Sequence, residues 1–548
     1  MLERLYNMLF KKKWLSWSKD KTLTHNTATE SIPIQPSVDI VPNKVGVVLP
    51  VYNQEKEYLI ECILALESQT YKNFSLVIVI DGANKETVNA VFEVSKLLTC
   101  DFSIINRPVN KGIAYSLNEG FNRLLDCPYL TWISSDNRQA PNFLERLVQT
   151  MNTSSPDTVL VYSMYNPIDK NGLPHPSVPA FYPALYNMMN RSKEEIVVVS
   201  FIGASFLFTR EGYEKAGGYD SSYGVVSDYE FWIRLSQHGG FIFLPEALMD
   251  YRYNGKHSLT TLTPTEELYL QSMKASIDHR IKGGDIPSVT VIITAHNHGK
   301  YIKQCIDSVL NQTFQNFHIV VLDVGSSDKT FDQIYSAHDT RLIPIHIKKR
   351  TKAEALNIAL EYALGKYVLE LDGDDWIEPN TLEVMVTEME SLPPKVGMAY
   401  ANRKLWFEEN DMLVEGDVYK GLKYKDKSEV LEKFQTHCPR MYRLSTLREL
   451  NGWTTNIDGE PLLAEDYMMF LRVAEQFKIH WIDQTLYNQR RHNTNITILQ
   501  KEQLNRQFRQ IVEKMLNKWG NKKVARFSET NGYITEIILE ERRGRDKK

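Results

Sequence analysis

Disulfide chemistry is the first thing this chain lacks. Its 548 residues include five cysteines, Cys62, Cys100, Cys127, Cys305 and Cys438. They are odd in number, far apart and never in a Cys-x-x-Cys arrangement, which excludes a disulfide framework and a zinc knuckle and points to a reducing, cytoplasmic setting. Long apolar runs are missing too. The longest, Ile196 to Phe208, is interrupted by Ser and Gly and falls short of the ~20 residues that cross a bilayer. Nor is there a charge surplus, since a net charge of −4 gives no global pull toward nucleic acid. With 27 Gly and 22 Pro the chain is neither collagenous nor of low complexity. What remains is a globular protein too long for a single core.

What is present is a repeat. Val45 to Val51 ends in a polar turn at Asn53, and Val289 to Thr294 ends in one at Asn297. Gln69-Thr70, Asn73-Phe74 and Gly82 reappear 243 residues on as Gln312-Thr313, Asn316-Phe317 and Gly325. Asn118 and Asn357 are 239 apart, while Pro141 and Pro379, like Asp228 and Asp466, are 238 apart. A slowly drifting offset is the mark of duplication with small insertions and deletions. The expected organisation is an amphipathic segment and linker (1–44), a first domain (45–261), a linker (262–287), a second domain (288–500), and a C-terminal helix with a basic tail (501–548).

Inside each copy strands and helices alternate. The first copy shows strands at Val45–Val51, Ser75–Ile80, Phe102–Ile105 and Tyr129–Ile133, with helices at Tyr58–Ser68 and Ala114–Leu125 between them. The second shows strands at Val289–Thr294, His318–Leu322 and Tyr367–Leu371. Such alternation predicts an α/β fold with a mostly parallel sheet and helices on both faces, whose ligands bind beyond the carboxyl ends of the strands. Residues 1–19 mix Leu2, Leu5, Leu9, Phe10, Trp14 and Trp17 with Lys11, Lys12 and Lys13, which fits either an interfacial helix touching a membrane face or a helix packed on the first domain. Leu504, Phe508, Ile511, Val512, Met515, Leu516 and Trp519 recur at helical spacing and are expected to pack on the second copy.

Acidic residues sit where that sheet would place a ligand. After His318–Leu322 comes Asp323-Val-Gly-Ser-Ser-Asp328, and after Tyr367–Leu371 comes Asp372-Gly-Asp374-Asp375-Trp376. Three crowded carboxylates repel one another, and a divalent cation bound by hard oxygen ligands relieves this, Mg²⁺ or Mn²⁺ being the ions that also take phosphate oxygens. Glu465-Asp466 opens an apolar helical stretch containing Arg472, echoed by Ser227-Asp228 and Arg234. Arg490, Arg491 and His492 lie in a polar loop running to Thr497, where cations suit a diphosphate and a neutral His suits a metal.

A strand ending in His296-Asn297, the Asp323 to Asp328 turn, the Asp372 to Asp375 cluster with Pro379, Glu465-Asp466, and His492 with Thr497 together resemble family 2 glycosyltransferases of the GT-A fold. The resemblance covers residues 45 to about 260 and 288 to about 500. It implies two tandem GT-A domains. It further implies inverting transfer of a sugar from a nucleotide diphosphate donor, commonly a UDP-sugar, to a glycan, lipid-linked or protein acceptor. Under it His296, Asn297, Asp323 and Asp372 hold the donor nucleotide, with Asp323 accepting from uracil. Asp374, Asp372 and His492 hold Mn²⁺ or Mg²⁺, Asp466 is the general base, and Glu465, Trp376 and Arg490 touch the acceptor or the diphosphate. The first-copy equivalents are Asn53, Asp81, Asp136 and Asp228. Ile80 stands where Asp323 does, Lys85 where Asp328 does, Ser134 and Asn137 where Asp372 and Asp375 do, and Ser227 where Glu465 does; Gly255 falls at His492 with His257 nearby. Three carboxylates become one. The first copy is therefore either a second transferase, making the protein a bifunctional glycan polymerase, or a degenerate copy serving as scaffold or acceptor binder. A non-catalytic sugar-binding scaffold would leave Asp372, Asp374 and Asp466 idle. A nucleotidyltransferase would carry a Gly-rich loop with a cation where the chain reads Thr294-Ala-His-Asn-His-Gly299.

Overall fold

In the computed structural model the described residues are 39–174, 178–253, 262–409, 412–433, 437–493, 495–520 and 523–541. The amphipathic segment 1–19, the basic tail and the Gly255 to Thr260 stretch lie outside them. The chain divides into two compact units between His279 and Arg280.

The first unit carries β1 (Val45–Val51), β2 (Phe74–Asp81), β3 (Asp101–Arg107), β4 (Tyr129–Trp132), β5 (Arg138–Gln139), β6 (Thr158–Ile168), β7 (Phe206–Thr209) and β8 (Gly240–Arg252) in one sheet of order 3-2-1-4-7-6-8-5. The second unit carries β9 (Val289–Ala295), β10 (Phe317–Val324), β11 (Leu342–Ile347), β12 (Tyr367–Asp372), β13 (Trp376–Ile377), β14 (Val396–Glu409), β15 (Met412–Tyr419) and β16 (Arg440–Arg443). After a small ribbon of β17 (Asn456–Ile457) and β18 (Glu460–Pro461) comes β19 (Lys478–Arg491). Its sheet runs 11-10-9-12-16-14-19-13, with β15 added on β14. Strand for strand this is the first order again, so the duplication read in sequence is a duplication of topology. The α/β sheets are as expected in kind and mixed in detail: β3-β2-β1-β4 and β11-β10-β9-β12 are parallel, while β7 and β16 enter antiparallel to both neighbours. Both follow long excursions of the chain that bring them back from the opposite end.

The central strands are β-branched runs without alternation because both of their faces are covered. Val45, Val47, Leu49 and Val51 meet Leu59, Cys62, Ile63 and Leu66 from the helix Lys56–Glu67, spaced to share one helical face. Val289, Val291 and Ile293 meet Ile302, Cys305, Ile306 and Val309 in the same way. All five cysteines are free thiols. Asn118 and Asn357, singled out by the repeat, do structural work: each side chain bonds the backbone N–H and C=O of one aromatic residue, Tyr219 or Trp453 respectively.

Residues 262–287, expected as linker, contain a helix at Thr265–Gly283. The C-terminal helix Lys501–Lys518 buries Leu504, Ile511, Val512, Met515 and Leu516, and Phe508 meets Tyr467. A hairpin of β20 (Lys523–Thr530) and β21 (Tyr533–Glu541) follows where only a tail was expected. Among the described residues no helix is long and apolar enough to cross a membrane.

Two buried histidines give the second unit an acid limit. Burial, with the Arg403 and Arg440 charges adding, depresses His437 to about 3, and burial with Arg280 depresses His318 to about 4. Both therefore take up protons on unfolding below their ordinary value of ~6.5, so their contribution is complete above that pH and is lost as pH falls toward the folded values. The stability of the second unit is expected to fall steadily below pH 6.5, by up to about 1.4 kcal/mol per pH unit per histidine, and its melting temperature with it. In a pH series of thermal scans His437→Gln should flatten that slope; an unchanged slope would refute the assignment.

Candidate active site

The strands β9, β10 and β12 end side by side, with Asp372 in register with Thr294 and Asp323 with Ala295. From Asp372 the chain turns through Gly373, Asp374 and Asp375 to β13. Gly373 has no room for a side chain, because a Cβ there would lie 2.9 Å from the Thr294 carbonyl oxygen, Ala295 Cβ and His298 Nδ1. Gly373→Ala is expected to lower the melting temperature by several degrees and to impair metal binding at Asp374. Calorimetry and Mn²⁺ titration test this, and wild-type values in both would refute it.

The three carboxylates of this turn part company. Asp375 faces β19, accepting from Tyr487 Oη at 2.7 Å and from the Arg490 backbone N–H at 2.7 Å; burial, with Asp374 and Asp372 nearby, pushes its carboxyl well up. It anchors the turn. Asp374 Oδ2 accepts from His492 Nε2 at 3.0 Å and from Asn495 Nδ2 at 3.2 Å. Burial alone would raise Asp374, but the His492 hydrogen bond and the fields of His298 and His492 hold it below the usual carboxylate range. Two ligands at right angles, each about 2.1 Å from a cation, lie about 3 Å apart, so Asp374 and His492 are spaced to share one. Among the described residues no group of three or more His, Cys, Asp or Glu forms a cage. Asp372 instead pairs its Oδ1 with Lys352 Nζ at 2.5 Å.

Arg490, expected at the acceptor or the diphosphate, is 5% exposed. Its guanidinium is buried between Trp376 and Tyr301, 5.0 and 4.6 Å from the ring centres, with Nε on the Asp374 carbonyl and Nη2 on Gln304. Arg252 does the same in the first unit, over Tyr58, with Nε on the Asp136 carbonyl. Both arginines lock the acidic turn. This register also aligns Arg252 with Arg490, which moves the His492 position from Gly255 to residue 254, outside the described residues.

At the ends of β9 and β10, His296 Nδ1 meets the Val324 carbonyl at 2.8 Å. Asn297 adopts a left-handed φ of 57° and accepts from the Ser327 N–H at 2.8 Å, which ties the two turns together. Asn53, at φ 42°, accepts from the Asn84 N–H in the same way. Asp323 is fully buried: Oδ2 accepts from His346 Nδ1 at 2.6 Å and Oδ1 from the Ser326 N–H. The direct uracil contact expected of Asp323 is thus screened by His346, which is 18% exposed.

On the opposite side, Glu465 and Asp466 begin the helix Glu465–Gln476. Asp466 Oδ1 accepts from the Tyr467 N–H at 2.7 Å, and its Oδ2 accepts from Arg440 Nη1 at 3.1 Å. Arg440 Nη2 also donates to the buried Glu370 at 2.9 Å. Lys352 Nζ lies 3.2 Å from Glu370 and 3.5 Å from Glu465. Burial pushes Glu465 up to about 8, Lys352 opposing this while Asp466 and Glu370 add to it. Lys352, Glu370 and Arg440 escaped the sequence reading. Their one visible signal is charge inside otherwise apolar strand and helix runs.

In the first unit this network is gone. Trp132 and Phe206 take the places of Glu370 and Arg440, their rings 5.7 Å apart, while Ile113 takes that of Lys352 and Ser227 that of Glu465. Among the described residues Asp228 keeps only the Tyr229 N–H at 2.7 Å, and burial raises its carboxyl. Asp136 accepts from Ser134 Oγ and is likewise raised by burial, so it is a poor cation ligand. Asp81 is saturated by Arg107, the Lys111 and Gly112 N–H groups and Ser116 Oγ. The Arg that recurs six residues after each helix-opening Asp binds a carbonyl at the end of the preceding helix or turn, Ala216 for Arg234 and Gly452 for Arg472.

A glycosyltransferase of Rickettsia bellii is 24% identical over 63% of this chain and 55% of its own length. The chain thus spans little more than half of that relative. Chondroitin synthase of Escherichia coli is 22% identical, matching 89% of this chain and 76% of its own. The solved structure of S. aureus TarS 1-349 in complex with UDP-GlcNAc shares 19% identity over 42% of this chain and 67% of that one, with a TM-score of 0.35. The family model described as glycosyl transferase family 2 matches residues 46–217 and again 290–450, one match in each unit. The chain belongs to glycosyl transferase family 2.

Proposed function

We propose that the chain transfers a sugar from a nucleotide diphosphate sugar, a UDP-sugar by preference, to a hydroxyl of a glycan, lipid-linked or protein acceptor, with inversion at the anomeric carbon. The second unit carries the chemistry and the first serves as scaffold or acceptor binder. One observation carries this reading: the Asp374–His492 pair and the Arg440–Asp466 pair occur together in the second unit, and the first unit replaces the residues around both of its remaining aspartates. The chondroitin synthase match, which spans most of both chains, supports a glycan acceptor. The five free thiols suit a reducing compartment.

Asp466 takes the proton of the acceptor hydroxyl as its oxygen attacks the anomeric carbon and the bond to the diphosphate oxygen breaks. The attack comes from the face opposite the leaving group, as in an inverting glycosidase with the acceptor in place of water. Asp374 and His492 would hold Mn²⁺ or Mg²⁺, which supplies charge neutralisation for the departing diphosphate. Arg490 and Asp375 fix the turn that carries Asp374, and Asn297 fixes the neighbouring turn. His346, oriented by Asp323, reads the base edge.

The test is a panel of UDP-GlcNAc, UDP-GalNAc, UDP-glucose, UDP-glucuronic acid and GDP-mannose, with Mn²⁺, Mg²⁺ or chelator, the product anomer being read by NMR. Turnover of a UDP-sugar that needs the metal and gives the inverted anomer is expected. No turnover of any of the five, or retention of configuration, would sink the reading.

A further inference from the structure

The Arg440–Glu370 pair has an apolar counterpart at the same place in the first unit. Buried ion pairs stabilise weakly against apolar replacements of similar size. The first unit makes the same strand contact with Trp132 and Phe206, whose rings lie 5.7 Å apart. Arg440 is 5% exposed and Glu370 1%. The pair is therefore rigid, and its free end points at Asp466, whose side chain is 25% exposed and reachable from the crevice. Asp466 has one donor on each oxygen, the Tyr467 N–H on Oδ1 and Arg440 Nη1 on Oδ2, with further lone pairs left for an acceptor hydroxyl.

We propose that Arg440 is a positioning residue for the second unit's general base: anchored by Glu370, it orients the Asp466 carboxylate. This rests on the reading of Asp466 as the base. The charges facing Asp466 are Arg440 from β16, Glu370 from β12, Lys352 from the helix Lys352–Glu361, and Glu465 beside it, with the Tyr442 hydroxyl near Arg440 and Glu370. Two cations balance this set. Removing Arg440 takes away the cation 3.1 Å from the Asp466 carboxylate and leaves Lys352, already shared with Asp372, as the sole counter-ion, which disfavours the charged form of the base. The first unit lacks that arginine: among the described residues the half-buried Asp228 accepts from one backbone donor, and desolvation raises its carboxyl.

The double variant Arg440→Phe with Glu370→Trp copies the first unit's pair and removes the cation without orphaning the carboxylate. Using the panel sugar that the wild type turns over fastest, kcat is expected to fall about a hundredfold with the donor KM within about threefold. The acid limb of the pH–rate profile should move up by about one unit or more. Arg440→Lys, which keeps the charge, should recover activity to within about tenfold of wild type. A folded double variant with wild-type kcat and an unmoved acid limb would overturn the proposal. So would a loss of kcat with the limb unmoved and no recovery by lysine. If the double variant fails to fold, Arg440→Gln is compared with Arg440→Lys on the same profile. A limb that moves up with glutamine and stays in place with lysine supports the proposal, and one unmoved in both overturns it. Asp466→Asn separates the two readings: if it turns over normally the base assignment fails, whatever Arg440 does.

Discussion

Asp374→Ala is expected to lower metal-dependent sugar transfer by about a thousandfold and to abolish Mn²⁺ binding by the purified protein. The carboxylate is held ionised by His492 and His298, and its Oδ2 stands 3.0 Å from His492 Nε2, so one substitution removes half of the Asp374–His492 ligand pair. Loss of a cation that offsets leaving-group charge is worth several kcal/mol, or about three powers of ten. The turn itself should survive, because Asp375, Tyr487 and Arg490 anchor it independently. Titration of Mn²⁺ followed by paramagnetic resonance reports binding apart from turnover. Full activity of the variant in chelator would remove the metal from the mechanism.

The second large effect sets two aspartates against each other. Asp466→Asn keeps shape and removes basicity, so kcat should fall about a thousandfold with the donor KM little changed. Asp228→Asn should leave kcat within about twofold of wild type, since among the described residues Asp228 has no cation beside it and burial already favours its neutral form. Steady-state kinetics over the sugar panel decides. If each substitution silences a different sugar, both units transfer and the protein is bifunctional; if Asp466→Asn is silent as well, the base lies elsewhere.

Much of the fold was legible because its signals are local. Apolar β-branched runs, helical spacing and recurring turn residues are written within a few positions of one another, and a near-constant offset between the halves exposed the duplication. The antiparallel entry of β7 and β16 was not legible, since strand direction in a sheet depends on where a long excursion returns. The site was legible by residue type and illegible by role. Asp374 and Asp375 are neighbours in sequence, yet one faces His492 and the other is consumed by Tyr487 and the Arg490 backbone. Arg490 read as a diphosphate ligand, but Trp376 and Tyr301 enclose it.

By itself the sequence determined that this protein is two copies of one α/β core with acidic residues at the strand ends, concentrated in the second copy. Only the tertiary structure decided which of those carboxylates can bear charge. Glu370 meets Arg440 across 70 residues of chain, and Arg440 meets Asp466 across another 26. A carboxylate's charge state is set by burial and by the cations within a few ångströms, and those neighbours are assembled by sheet pairing and not by proximity in sequence.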